Sequence, residues 1–429
     1  MRDKGQKMES LAVKAFAKVN MRLEVRGKRP DGYHEIETLF RGIALYDTLT
    51  LTKESDGVTL VLEGRDGESG PGGEDEPRGG HMSDEREVIG GWNVPDGPAN
   101  LAWQAADMLR EAYPDRVGGV RIRLEKRIPV AAGLGGGSAD AAAVLLGMDR
   151  LYGLGLRSET LAGFASRLGS DVAFCMAPLI AVGRGRGEVL EPLTLEVLSA
   201  VRATQAPSVT STPIHQSTPA QGFPMWILLV KPPFSLSTGA VYGAWRPPEE
   251  SDGDGRGSLS LLLQGIRENH PALVWQNMVN DLLAPACSLE SGLDAYIRWV
   301  EEEAADAAAG SGDRRAARNV AEQGEGGLRA AANQDEIIVQ AMAGYRVILC
   351  GSGPTIAVCF ADEAPARRLE ERLRQGVDRL GEILSLRSRG SRDAGATSQN
   401  RSPAAGTLLI LLTRTLTQDD LDTRFTGFG

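Results

Sequence analysis

Pro129-Val-Ala-Ala-Gly-Leu-Gly-Gly-Gly-Ser-Ala-Asp-Ala-Ala-Ala143 is the stretch on which the reading of this chain turns. Before it, Val120 to Glu125 alternates apolar and charged residues, the period of a half-buried strand. After it, Ala139 to Leu151 is rich in alanine and leucine, which favour helix, and Gly153 stands where a helix would stop. The order is strand, glycine loop, helix. Gly133, Gly135, Gly136 and Gly137 let the backbone take φ > 0 and approach a ligand with no Cβ in the way. Free N–H groups at the start of the next helix favour an anion. Ser138 is placed either to cap that helix or to offer its hydroxyl to a phosphate or a metal ion. Phosphate is the expected occupant.

Neither of the two commonest phosphate loops fits. A Walker A loop needs a lysine after the last glycine, and none follows here. In a dinucleotide fingerprint counted from Gly133, the last glycine position holds Ser138, which counts against a nicotinamide oxidoreductase. A tight structural turn would use the same glycines.

Outward from the loop, 429 residues suffice for two ordinary domains, and 42% hydrophobic with 24% charged residues describes a globular chain. A net charge of −10 argues against nucleic acid or an anionic membrane as partner, so a phosphorylated substrate must be met by local cations. No run approaches the roughly 18 apolar residues of a membrane span, and residues 1–10 lack the apolar core of a signal peptide. Four cysteines without C-x-x-C spacing read as reduced core residues of a cytoplasmic protein, and a zinc site is not expected.

Ala17 to Val25 alternates, with Val19, Met21, Leu23 and Val25 on one face and Lys18, Asn20, Arg22 and Glu24 on the other. By composition alone, that second face reads as solvated. Pro30-Asp-Gly32 signals a turn ahead of Tyr33 and His34, and Leu45 to Leu51 returns as a strand. Helical spacing marks Ala99 to Tyr113 and Ser158 to Leu168, and an apolar strand runs from Trp226 to Val230. Val347 to Phe360 reads as strand, glycine turn, strand. Arg184 and Arg186 suit phosphate or open solvent equally. Polar insertions are expected at about 64–98, 196–222, 302–336 and 385–405.

The pattern P-x-x-x-G-L-G-G-G-S-A-x-A-A from Pro129 resembles the nucleotide-binding motif of the GHMP kinase superfamily. Ala15 to Leu23, followed by Arg29-Pro-Asp-Gly-Tyr-His-Glu-Ile-Glu-Thr-Leu-Phe40, resembles the opening of its diphosphocytidyl-methylerythritol kinases, and Leu168-Gly-Ser-Asp-Val-Ala-Phe174 resembles the segment with the catalytic aspartate. The resemblance implies an α+β, two-domain GHMP kinase fold with the active site in the interdomain cleft. The expected domains are 11–195, which binds ATP, and 223–429, joined by the linker-like 196–222. It implies transfer of the γ-phosphoryl of ATP to the 2-hydroxyl of 4-diphosphocytidyl-2-C-methyl-D-erythritol, a step toward isoprenoid precursors.

By the same resemblance Asp171 is the general base and Lys18 its electrostatic partner. Pro129, Gly133, Leu134, Gly135, Gly136, Gly137, Ser138 and Ala139 hold ATP, with Ser138 reaching Mg²⁺ through the phosphates. Asn20, Tyr33 and His34 lie along the substrate, and Tyr242 stacks on cytosine or, equally, packs its own helix. Lys126 and Arg127, just before the loop, are the nearest cations for the substrate diphosphate, with surface solvation as the alternative. Asn280-Asp-Leu-Leu283 matches a further family segment without an assigned role. A monomer or homodimer is expected. Another GHMP kinase, acting on mevalonate, homoserine or a sugar, is the rival; an inactive nucleotide-binding regulator of the same fold is the second.

Overall fold

Two long antiparallel strands, β1 (Ser10–Lys28) and β2 (His34–Glu54), form the spine of the first sheet. We describe a computed structural model covering residues 8–63, 94–177, 179–193, 223–247, 257–309, 340–376 and 408–428. Of the expected insertions, 64–93 of the first (64–98), all of 196–222, 310–336 of the third (302–336) and all of 385–405 lie outside these residues. The chain continues through β3 (Gly57–Glu63), α1 (Leu101–Ala112), β4 (Gly119–Glu125), α2 (Gly136–Tyr152), α3 (Ser158–Leu168), α4 (Val172–Met176), β5 (Ile180–Arg184) and β6 (Val189–Pro192). β2 pairs with β4 and β5, and β3 runs parallel to β4.

The glycine-loop helix α2 lies flat on this sheet because its side chains are small. Ala139, Ala141, Ala142, Ala143, Val144 and Leu145 are fully buried, and a Cβ on Gly147 would stand 2.5 Å from Leu51 Cδ1. Overpacking of that kind costs about 1–3 kcal/mol. The helix starts three residues before its expected start, at Gly136, with left-handed Gly135 as N-cap and left-handed Gly153 as C-cap. Ser138 is therefore its third residue, and its hydroxyl is not the cap.

The second sheet is antiparallel, in the order β10-β7-β9-β8, from β7 (Trp226–Lys231), β8 (Tyr345–Leu349), β9 (Ile356–Phe360) and β10 (Leu409–Arg414). β8 and β9 are buried throughout, hence their unbroken apolar character. Leu228, Val230 and Val358 pack with Tyr296, Trp299 and Val300 of the helix Ser291–Ala309 and with Leu369 and Leu373 of the helix Glu363–Gln375. The insertion expected from 302 begins later than the composition suggests. Residues up to Ala309 are helix, with Ala304 and Ala307 buried in this core.

The sheets are sewn together twice, and the second seam is made by residues within the expected 223–429 domain. Asn280 bridges to Leu23 in β1, with Leu23 N donating to Val279 O at 2.9 Å and Asp281 N to Leu23 O at 2.9 Å. Beyond β10 the chain crosses back: Leu416 N donates to Gly42 O, and β11 (Phe425–Phe428) pairs antiparallel with β1, Val13 opposite Phe425. Residues from about 415 onward thus belong by pairing to the first sheet. An apolar strand pattern gives the strand but not its partner. Among the described residues no helix is long and apolar enough to cross a membrane.

Candidate active site

A cleft of about 950 Å³ opens between the two sheets, within the usual size of small-molecule sites. One wall is the polar face of β1. Lys18, Asn20 and Arg22 are only 4%, 2% and 3% exposed, so the solvated reading of that face is wrong. Register shifts flank Lys18 and Asn20, and bulges of this kind re-aim side chains at sites.

Lys18 Nζ lies 3.0 Å from Asp171 Oδ2 and donates to Asn20 Oδ1 at 2.9 Å. Asn20 Nδ2 donates in turn to Thr38 Oγ1, whose hydroxyl donates to Arg22 O. The ammonium is thus held from two sides. Its aliphatic stem underlies the glycine loop, where a Cβ on Gly135 would meet Lys18 Cε at 3.1 Å, and Lys18 N donates to Leu134 O. Asp171 is the N-cap residue of α4 and is about a quarter exposed, toward the cleft.

The glycine loop, Gly133 to Ser138, lines the cleft with Pro129 before it. Its outer support is the turn between β8 and β9. A Cβ on Gly353 would stand 2.4 Å from Gly133 N, so only glycines allow the two turns to nest. Ser352 Oγ donates to Thr238 Oγ1 at the start of the helix Thr238–Ala244, which carries Tyr242. Ala139, expected among the ATP contacts, is fully buried in the α2 core, so any contribution is through its backbone.

At the far end, His34 faces Tyr242 with ring centroids 5.2 Å apart and meets Trp245 edge-on at 5.8 Å. Burial and the nearby Lys28 charge lower the His34 imidazole below its ordinary value, and burial pushes the Tyr242 phenol up. Tyr33 is 55% exposed, with the Arg186 guanidinium 4.8 Å above its ring. The sequence reading does not single out Trp245, and it gives Arg186 to phosphate or solvent equally. The signal for both was present: an aromatic three residues from Tyr242, and a cation in a glycine-rich turn.

Lys126 does not stand free for a diphosphate. Its Nζ lies 2.5 Å from Asp47 Oδ2 and 2.8 Å from Asp140 Oδ2, and all three side chains are buried. Asp47 Oδ1 also accepts from Arg127 N and Ile128 N. Burial alone would lower the Lys126 ammonium, but the two carboxylates outweigh it and raise it. Burial, with Asp47 adding, pushes Asp140 up against the pull of Lys126. This centre ties β2 to the first turns of α2 beneath the loop. Arg127, the other cation beside the loop, pairs with Glu125 and lies over the Tyr46 ring.

A glycine loop at a helix N-terminus, a buried lysine beside a carboxylate, and two sheets meeting over both define the GHMP kinase class. The family described as "GHMP kinases N terminal domain" matches residues 100–177. A protein of Moorella thermoacetica named 4-diphosphocytidyl-2-C-methyl-D-erythritol kinase is 35% identical over 373 residues, covering 86% of this chain and 96% of that one. One of the same name from Syntrophomonas wolfei is 38% identical over 233 residues, 54% of this chain and 63% of that one. This chain belongs to the 4-diphosphocytidyl-2-C-methyl-D-erythritol kinase family. A crystal structure of a 4-(cytidine 5'-diphospho)-2C-methyl-D-erythritol kinase superposes with a TM-score of 0.53 at 26% identity, covering 94% of this chain and 99% of that one. A homoserine kinase from Cytophaga hutchinsonii, 16% identical with a TM-score of 0.55 and 97% of each chain covered, shares the fold.

Proposed function

We propose that this chain transfers the γ-phosphoryl group of ATP to the 2-hydroxyl of 4-diphosphocytidyl-2-C-methyl-D-erythritol, with Asp171 as general base and Lys18 as its electrostatic partner. The observation that carries the assignment of roles is the 3.0 Å Lys18–Asp171 contact in the cleft beside the glycine loop. Asp171 accepts the hydroxyl proton as the oxygen attacks phosphorus and the bond to ADP breaks. Lys18 offsets the negative charge that gathers on the attacking oxygen. Phosphoryl transfer asks little covalent chemistry of a protein, so positioning and charge carry most of the effect.

Gly136, Gly137 and Ser138, which open α2, line the cleft, where their N–H groups would meet the ATP phosphates. Ser138 and the buried Asp140 Oδ1, which has no hydrogen-bond partner among the described residues, are oxygen donors on the cleft lining, the donor chemistry that suits Mg²⁺ carried by nucleotide phosphates. Bound there, Mg²⁺ would neutralise phosphate-oxygen charge. His34 and Tyr242 supply aromatic faces for the cytosine ring, with Tyr33 at the rim and Asn20 along the substrate.

ATP-to-ADP turnover with the cytidine substrate, compared with mevalonate, homoserine and galactose, tests the reading. Turnover with the cytidine substrate alone supports it. Turnover with one of the others would keep the Lys18–Asp171 pair and discard the cytidine assignment.

A further inference from the structure

Arg424 lies far from the glycine loop in sequence and outside every family motif, yet it is packed against the short helix that presents Asp171. Its residue is 4% exposed. Nε donates to Lys14 O at 3.0 Å, Nη1 to Met176 O at 2.7 Å and Nη2 to Cys175 O at 3.0 Å. Among the described residues no carboxylate forms an ion pair with it. Two of its acceptors are the last carbonyls of α4, where a helix leaves C=O groups unpaired and where a cation is favoured by the helix dipole. The third belongs to β1, four residues before Lys18.

The helix so held is five residues long and would not stand alone in water. Its N-cap residue is Asp171, and Phe174 stacks on Phe40 at 4.9 Å, while Lys18 Nζ lies 5.5 Å from that Phe40 ring. Arg424 is itself fixed. Arg424 O accepts from Lys14 N, Phe425 pairs opposite Val13, and the preceding helix Gln418–Asp422 is capped by Thr417 and tied through Asp420 to Arg414.

We propose that Arg424 is a positioning residue: by bridging β1 and the C-terminal end of α4, it sets the distance and direction between Lys18 and Asp171. It touches no substrate and acts through Asp171. The inference therefore rests on the assignment of Asp171 as base.

The test is a double-mutant cycle of Arg424→Lys and Asp171→Asn, with kcat and the KM for ATP measured below each variant's melting temperature. Lysine keeps a buried cation but cannot reach three carbonyls at once. Arg424→Lys is expected to lower kcat about 10- to 100-fold, the scale of a small misplacement of a reacting group, with the KM for ATP within about twofold. In the Asp171→Asn background the same change should alter kcat by less than about twofold, because the group it positions is already gone. A wild-type kcat in Arg424→Lys, or a loss that carries over in full to the Asp171→Asn background, overturns the proposal. Wild-type turnover by Asp171→Asn alone would instead remove the base assignment. Should Arg424→Lys fail to fold, Arg424→Gln, which keeps a donor without the charge, enters the same cycle and is judged by the same two outcomes.

Discussion

Gly133 sits so close to Cys350 that a Cβ on the glycine would stand 1.9 Å from the cysteine's carbonyl oxygen. Gly133 is also left-handed, at φ 75. The two turns that meet here come from different sheets, so the phosphate loop is shaped partly by the second sheet's β8–β9 turn. Gly133→Ala should therefore do more than add backbone strain of about 1–3 kcal/mol. It must part the two turns. Calorimetric titration with ATP on the folded variant should show at least about a tenfold weaker Kd. An unchanged Kd would mean that the loop tolerates the separation.

Lys126 offers a test that separates structure from substrate contact. Removing one partner of a buried ion pair costs about 3–5 kcal/mol, because the other charge is left uncompensated. Lys126→Met leaves Asp47 and Asp140 facing each other beneath α2. Thermal unfolding should show a drop in Tm of many degrees. A variant with wild-type Tm and only a raised KM for the cytidine substrate would restore the diphosphate role read from the sequence.

At the cytidine end, Tyr242→Ala should raise the KM for the cytidine substrate while leaving the KM for ATP alone. Base–aromatic stacking is worth about 1–3 kcal/mol per base, so the rise should be roughly 5- to 150-fold. Steady-state kinetics with each substrate varied in turn decides it. A loss of stability with unchanged KM would make Tyr242 a packing residue only.

How much of this was legible beforehand depended on whether local chemistry or a distant partner sets the outcome. The strand–glycine loop–helix order, the helices Leu101–Ala112 and Ser158–Leu168 and the left-handed stop at Gly153 all follow from local pattern. Lys18 and Asp171 are nominated by the family resemblance and not by local pattern; they lie in separate motifs and meet in the cleft. The ion pairs of Lys126 are not legible along the chain because its partners, Asp47 and Asp140, arrive from β2 and α2 and carry no mark in sequence. The same holds for the return of β11 to β1 and for Arg424, since neither pairing partners nor buried cations announce themselves along a chain. Alanine-rich 302–309 reads as part of a polar insertion, helical or not, because alanine serves a packed helix face and a surface expansion equally well.

The return segment has its own pH signature. Partial burial of Asp420 opposes its charge, but hydrogen bonds from Arg414 and Thr417 outweigh that and hold the carboxyl down at about 2. A lowered folded value means that this stabilisation is fully present above the usual value of 3.8 and is lost as pH falls toward 2. Asp420→Asn should therefore lower Tm at pH 7, and the gap from wild type should narrow only below about pH 4. Thr417→Ala, which removes the cap itself, should cost about 1 kcal/mol. A gap that varies between pH 5 and 8 would point to a different group.

The most direct test of the central claim is turnover by Asp171→Asn with ATP and 4-diphosphocytidyl-2-C-methyl-D-erythritol, alongside its Kd for ATP. A positioned general base is worth about 10²–10⁴ in rate, so kcat should fall by at least the lower figure while the ATP Kd stays within about twofold. Turnover close to wild type would contradict the account, because the group 3.0 Å from Lys18 would then not be the one that takes the proton.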